Sequence, residues 1–416
     1  MSWRRSTFWV CLIGYIGYYL CRANLPAAFP LISQTFHYSN TQLSYIGAFS
    51  EAAYALGKFV NGPLTDKIGG HKIFLTGLAG GIIFNFAFAA SHTLLAFIIV
   101  WCLCRYFLSM GWGGLVKMIG HWYPPEKNGT IMGFISVNFQ FGGVLGTILA
   151  GYLVARGFGW RDVFIYPALI GIVILIWSTF AAKEQPSDVI EGVKVDRSRA
   201  EAPLAGQEIK NGERVSARKI IRSLLRLRLF QYLLTFSFLM HVLRSFFFFW
   251  TAKFLVDIGM HDSTAIFSSA LFPLFGCLGT ILLGWYTDRF ARRNRAKPMW
   301  IMLVILAGCL LAITAFIHSR LLVVALLSAC GFLVLAPYSM SAGALTLDIA
   351  GPDAAATSAG LLDGVGYIAG AIATFIGGYV SDHFGWIGVF RFLACSAVVA
   401  ALSAYMMSRG FQKISE

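Results

Sequence analysis

The sequence predicts an all-α membrane protein, with twelve transmembrane helices in two pseudo-symmetric six-helix bundles. Three observations carry that expectation. Of 416 residues, 57% are hydrophobic and 12% charged, about half the charge of a soluble chain, so the apolar surface exceeds what a water-soluble fold hides. Apolar runs long enough to cross about 30 Å of hydrocarbon as helices recur twelve times. The second six runs repeat landmarks of the first six at a nearly constant offset. A soluble enzyme is excluded.

The runs start near residues 7, 41, 72, 93, 128 and 160, and again near 229, 262, 297, 320, 354 and 384. The first opens in MSWRRSTFWVCLIGYIGYYLC, basic at its start but without a small-residue cleavage site, and reads as a retained span. The loop after the second is GPLTDKIGGHK from Gly62, and the loop after the eighth is GWYTDRFARRN from Gly284, an offset of 222. GYLVARGFGWRDVF from Gly151 returns as GYVSDHFGWIGVF from Gly378, an offset of 227. Parallel repeats of this kind suit a transporter. Between the sixth and seventh runs, Lys183 to Arg228 holds eleven Lys/Arg and seven Asp/Glu. The expected organisation is therefore a bundle over 1–182, a linker over 183–228 and a second bundle over 229–416.

The net charge of +14 is scattered between apolar segments and forms no stripe, which argues against nucleic acid. It sorts by topology instead: about 24 of the 33 basic residues fall in loops and tails on one side and about 4 on the other, which places both termini and the linker in the cytoplasm. The eight cysteines lie inside apolar runs with no metal-ligand spacing, and the glycine-rich stretches lie within helices, not after a strand. No cofactor is expected, and no catalytic constellation.

Ionisable residues inside a membrane are costly, by about 3 kcal/mol each on insertion scales, and so mark function. They are Arg22, Glu51, Lys58, Arg105, His241, Arg244, Asp363 and Arg391, the last at a span end where it snorkels. Arg22 and Arg244 stand 222 residues apart, the offset that superimposes the two Asp-containing loops. They occupy equivalent places in the two halves, and two guanidinium forks facing each other repel unless a dianion sits between them. That pattern points to a phosphate or phosphate ester. Arg105, Leu108 and Trp112 share one helix face, as do Glu51 and Lys58. Glu51 then balances Lys58 or Arg105, and Asp363 balances Arg244 or Lys58; alternatively either acid releases a proton or meets an ammonium on a zwitterionic substrate. His241, three residues before Arg244, either shares the phosphate or is a satisfied core histidine. Phe246 to Trp250 read as lipid-facing or packing surface.

Twelve spans, the 6+6 repeat, the long middle linker and the G-x-x-x-D-[RK]-x-G loop resemble the major facilitator superfamily. GYIGYYLCRANLPAAFP, AAYALGKFVNGPLTD, MGWGGLVKMIGHWY and HVLRSFFFFWTAKFL further resemble its organophosphate:phosphate antiporter family. The resemblance implies phosphate binding by Arg22 and Arg244, a contribution from Lys58, and a cavity lined by Tyr15, Tyr18, Tyr19 and Trp112. It also implies gating by the loops carrying Gly62, Asp66, Lys67 and Lys72 and, in the second half, Asp288 and Arg289. The implied mechanism is rocker-switch exchange of an organophosphate for inorganic phosphate, in a monomer of a bacterial inner membrane. The chain departs from the family in three places: Phe139, flanked by the substrate-site candidates Asn138 and Gln140, replaces a histidine; Gly113-Gly114 replaces Pro-Pro; and Glu51, Arg105 and Asp363 are added charges. Two alternatives stay open, a proton-coupled carrier of another organic anion or zwitterion, and a transporter-like sugar-phosphate sensor.

Overall fold

A computed structural model of the chain describes residues 3–123, 141–188, 209–210, 213–214, 217–291, 294–341 and 344–415. These residues are helical almost throughout. The sheet among them is one two-residue hairpin, β1 (Ile209–Lys210) antiparallel to β2 (Glu213–Arg214). Eight helical segments are long and apolar enough to cross a membrane: Gly70–Ala89, Leu94–Trp122, Asp162–Ala181, Arg228–Asp257, Asp262–Phe290, Ala296–Ala315, Arg320–Ser341 and Ser358–Gln412. The last has 55 residues, about 80 Å as a straight helix, and so suffices for two crossings. Gly385 within it has φ +65°, a left-handed backbone that glycine takes without strain. Helix starts fall within four residues of those expected, except that the start near 128 lies outside the described residues and those near 354 and 384 lie inside one continuous helical run.

The chain forms two compact units, Met1–Ala202 with Thr251–Ala270, and Pro203–Trp250 with Leu271–Glu416. The first is built on α1 (Trp3–Leu20), α2 (Asn24–Phe36), α3 (Asn40–Ile68), α4 (Gly70–Ala89), α5 (Leu94–Leu108), α6 (Met110–Trp122), α7 (Phe141–Ala155) and α8 (Asp162–Ala181). Its short outer helix Asp262–Ser269 joins it through Gln34, whose amide donates to Asp262 at 3.1 Å, and through Phe267, which packs on Gly151.

Helix ends follow local chemistry. Ser39 starts α3 in a capping box with Gln42, and the Thr93 hydroxyl accepts from Ala96 N at the start of α5. Gly69, at φ +105°, ends α3. Between α1 and α2 the helix opens at residues 21–23 because Pro26 has no N–H for the Arg22 carbonyl. Leu25 N turns to the Asn24 side chain at 3.0 Å, and Asn85 Nδ2 donates instead to the Cys21 carbonyl at 3.1 Å. Asn24 in turn donates to Asn85 Oδ1. A broken membrane helix needs such side-chain replacements for its lost backbone bonds. The Gly113-Gly114 pair has a packing reason: a Cβ on Gly114 would lie 2.6 Å from the Gly70 carbonyl, so the glycine lets α6 and α4 touch backbone to backbone.

The second unit contains α9 (Ala217–Arg226), α10 (Arg228–Asp257, up to Trp250), α11 (Leu271–Phe290), α12 (Ala296–Ala315), α13 (Arg320–Ser341) and α14 (Ala344–Ser415). Its core includes the aromatic run of α10. Phe246 meets Trp386 and Phe390, Phe247 stacks on Phe272 at 4.7 Å, and Trp250 Nε1 donates to the Thr374 carbonyl at 3.1 Å. Of the two readings of that run, packing is the one found for Phe246, Phe247, Phe249 and Trp250, all buried.

Candidate functional site

In the first unit the α1–α2 opening delivers Arg22, 6% exposed, into a cluster of charges built by three elements. Glu51 (α3) forms a salt bridge through Oε1 with Nη2 of Arg105 (α5), and the same oxygen lies 3.9 Å from Nη2 of Arg22. Glu51 and Arg105 are 3% and 1% exposed. The ring of Tyr54, on the face of α3 shared by Glu51 and Lys58, sits under all of this: Arg105 lies 4.4 Å from its centroid, Arg22 5.0 Å and Lys58 Nζ 5.7 Å. A tyrosine face is electronegative and stabilises cations held within about 6 Å. Buried Arg22, Arg105 and Glu51 and half-buried Lys58 thus gather around one aromatic platform, an arrangement suited to a multiply charged anion.

The aromatic residues divide. Tyr19 lies 5.4 Å from Arg22, and Tyr15 joins Tyr19 at 5.5 Å and Trp112 at 5.6 Å, so these line one continuous surface with the cluster. Tyr18 points the other way: its hydroxyl donates to the Phe74 carbonyl, and Gly77 and Gly111 pack against its ring. It ties α1 to α4. Trp112 and Arg105 lie on one 29-residue helical segment, Leu94–Trp122, with a single turn residue at Ser109, whose N–H still donates to Arg105 O at 3.1 Å and whose hydroxyl donates to Tyr106 O at 2.7 Å and accepts from Asn61 at 2.8 Å. Asn138 and Gln140 lie outside the described residues.

In the second unit His241 and Arg244 meet at Tyr338. The Arg244 guanidinium lies 4.9 Å over the Tyr338 ring, and Tyr338 Oη lies 3.3 Å from His241 Nε2. His241 Nδ1 is 2.8 Å from the Ser237 carbonyl. A carbonyl only accepts, so Nδ1 carries a proton, and in the neutral ring Nε2 accepts from Tyr338. Gly366 is required here, since a Cβ would fall 2.3 Å from the imidazole. Tyr367 lies 6.4 Å from His241, and Asp363 stands one helical turn before it, half-buried. Tyr54 and Tyr338, each beneath an arginine of its own repeat, are the residues that sequence reasoning missed. Tyr54 stood inside the quoted motif AAYALGK.

The predicted gating residues stand in helix ends, not in loops: Gly62, Asp66 and Lys67 in the last turns of α3, Lys72 in the first turn of α4, and Asp288 and Arg289 in the last turn of Leu271–Phe290, all exposed. In the first unit Lys117 Nζ donates to the Thr65 and Asp66 carbonyls, both at 3.0 Å, so a cation closes the carbonyl end of α3. At the start of α4, Glu184 accepts from Gly70 N at 2.9 Å and His71 N at 2.6 Å, and lies 3.4 Å from His121. Burial alone would raise its carboxyl, but the His121 contact and the two backbone donors outweigh that and hold it at about 2. In the second unit Asp288 pairs with Arg295 at 2.9 Å, and Arg295 reaches Asp348 at 3.7 Å. Among the described residues no group of His, Cys, Asp and Glu is arranged to hold a metal.

The Major Facilitator Superfamily pattern matches residues 11–374. The Glycerol-3-phosphate transporter of Bacillus subtilis (strain 168) is 30% identical, over 95% of this chain and 90% of its own length. The Probable hexose phosphate transport protein of Chlamydia pneumoniae is 28% identical over 96% and 90%, and the Membrane sensor protein UhpC of Escherichia coli (strain K12) is 25% identical over 96% and 91%. Among solved structures, a bacterial homolog of the human lysosomal transporter Spinster aligns at TM-score 0.83 and 16% identity, covering 99% of this chain and 98% of that one. A D-xylose-proton symporter aligns at 0.71 and 14%, covering 97% and 98%. The chain is thus a multi-pass membrane transport protein of the Major Facilitator Superfamily and, within it, of the organophosphate:phosphate antiporter family.

Proposed function

We propose that this protein exchanges a phosphorylated organic metabolite for inorganic phosphate by rocker-switch alternating access. The observation that carries the reading is the cluster of buried Arg22, Arg105 and Glu51 and half-buried Lys58 around Tyr54, charge placed where a membrane protein tolerates it only for use. Arg22 and Lys58 of the first half and Arg244 of the second are the phosphate ligands, with Tyr19, Trp112 and His241 beside them. The names of the relatives support the substrate class. Residues 1–182 and 229–416 are the moving halves, 183–228 joins them, and the helix ends at Gly62 and Asp288 gate. Loop charge asymmetry supports cytoplasmic termini in a bacterial inner membrane, and the protein works as a monomer.

Binding neutralises the arginines and lets the halves close, so the occupied carrier reorients more easily than the empty one. Exchange is then obligatory. Arg22→Lys and Arg244→Lys remove the bidentate fork but keep the charge; each is expected to cut glycerol 3-phosphate uptake into phosphate-loaded vesicles by about 10- to 100-fold, as loss of a charge-assisted hydrogen bond implies. Uptake unchanged in both variants would contradict the assignment. A second reading, a ligand sensor, is favoured by the similarity to a membrane sensor protein; a sensor binds the ester without counterflow.

A further inference from the structure

We propose that α9 is an interfacial helix whose basic side binds the headgroups of anionic phospholipids in the leaflet where α10 enters the membrane. Residues 217–228 carry Arg218, Lys219, Arg222, Arg226 and Arg228 and no Asp or Glu. The segment is helical over Ala217–Arg226. At about 100° per residue, Arg218, Arg222 and Arg226 recur on one side of that helix, and Ile221, Leu224 and Leu225 fall on the other. A basic amphipathic helix next to a spanning segment has the composition that lies in the plane of an anionic membrane surface.

Packing within the second unit uses only part of the apolar side. α9 lies against α14, Leu224 is 3% exposed, and Leu229, just beyond α9, packs on Gly410 near the end of α14. Leu225 and Leu227 stay 41% and 48% exposed, beside the exposed Arg222, Arg226 and Arg228. Leucines interleaved with guanidinium groups suit the boundary between acyl chains and headgroups, where the apolar side chain enters the hydrocarbon and the arginine keeps its charge among phosphates. A guanidinium also meets a phosphate through two parallel hydrogen bonds.

The joint to α10 fixes where α9 sits. Leu227 N donates to Leu224 O and Gln231 N to Leu227 O, both at 3.0 Å, and Gln231 Nε2 donates to Leu225 O at 2.8 Å. The Gln231 side chain, on the first turn of α10, thus ties the carbonyl end of α9 to the spanning helix. α9 is held at the depth where α10 begins, and Arg409, next to Gly410, is exposed as well. Lipid fits this surface better than a soluble protein does, because the exposed leucines stand within three residues of a helix that crosses the bilayer.

Hydrogen–deuterium exchange of the whole protein in lipid nanodiscs, read on peptides covering residues 217–227, tests this. In nanodiscs of equal phosphatidylglycerol and phosphatidylcholine these amides are expected to exchange about 10-fold more slowly than in phosphatidylcholine alone, since each basic residue near an anionic surface changes binding about fivefold. The difference is expected to vanish at about 1 M salt, where the Debye length falls to about 3 Å, and in the variant combining Arg222→Gln with Arg226→Gln. Exchange within α12 reports whether that variant is folded; if it is not, the lipid and salt comparisons on the unaltered chain still decide. Equal exchange in the two lipids, the result if the linker covers the basic side, overturns the proposal. So does equal protection by inorganic phosphate added to phosphatidylcholine nanodiscs, which would assign the helix to a free anion.

Discussion

Tyr54 and Tyr338 hold the same relation to the arginine of their own repeat, with guanidinium carbons 5.0 Å and 4.9 Å from the ring centres. A desolvated cation–π contact contributes about 2 kcal/mol, so Tyr54→Leu is expected to weaken substrate affinity about 10- to 30-fold. Tyr54→Phe keeps the ring face and is expected to stay within about threefold; competition of phosphate counterflow measures both. The charged members of the site were legible in the sequence because Arg22, Glu51, Lys58 and Arg105 interrupt apolar runs. The tyrosines beneath them were not, because tyrosine is common in membrane helices and only geometry separates Tyr54 and Tyr19, beside Arg22, from Tyr18, which is spent on the Phe74 carbonyl. The pairing of Glu51 with Arg105 was legible only as an option among several. Choosing it required the distance between α3 and α5.

At the scale of elements, two joints are built from side chains that replace backbone bonds. The opening at residues 21–23 depends on Asn85, which donates to Cys21 O and Gly81 O and accepts from Asn24. Asn85→Leu strands these groups and is expected to cost about 2 to 3 kcal/mol, seen as a lowered Tm in detergent together with impaired transport, since Arg22 lies in the same turn. The start of α4 depends on Glu184. Its folded-state carboxyl lies at about 2 against an ordinary 4.5, so its stabilisation is fully present above about pH 4.5 and fades as pH falls through 2. The shift corresponds to about 3 kcal/mol. The Tm gap between wild type and Glu184→Gln is expected to be full at pH 7, smaller at pH 3.5 and closed near pH 2; a gap independent of pH would contradict the role given to the carboxylate. Helix starts were legible from apolar length and caps such as Ser39 and Thr93. The turn residue at Ser109 was not, since nothing in LSMGWGG marks it without the Asn61 side chain that satisfies it from another helix.

For the whole molecule, the repeat offset of 222 residues announced itself in the sequence through the Asp66 and Asp288 motifs and through Arg22 and Arg244. The repeats have diverged in what surrounds these residues. In the first half Arg22 lies near Glu51 and shares Tyr54 with Lys58, and in the second Arg244 lies over Tyr338, which meets His241. Likewise Asp288 joins a three-membered ion network with Arg295 and Asp348, while the end of α3 is held by Lys117 on backbone carbonyls.

The central claim is that the carrier moves a phosphate species only in exchange for another. Uptake of labelled inorganic phosphate into proteoliposomes, with and without internal phosphate and with and without a pH gradient, tests it most directly. The account predicts rapid uptake only when phosphate is inside, insensitive to the gradient and cut about 10- to 100-fold by Arg22→Lys. Uptake into empty vesicles driven by the gradient, or none at all from folded protein, would contradict it.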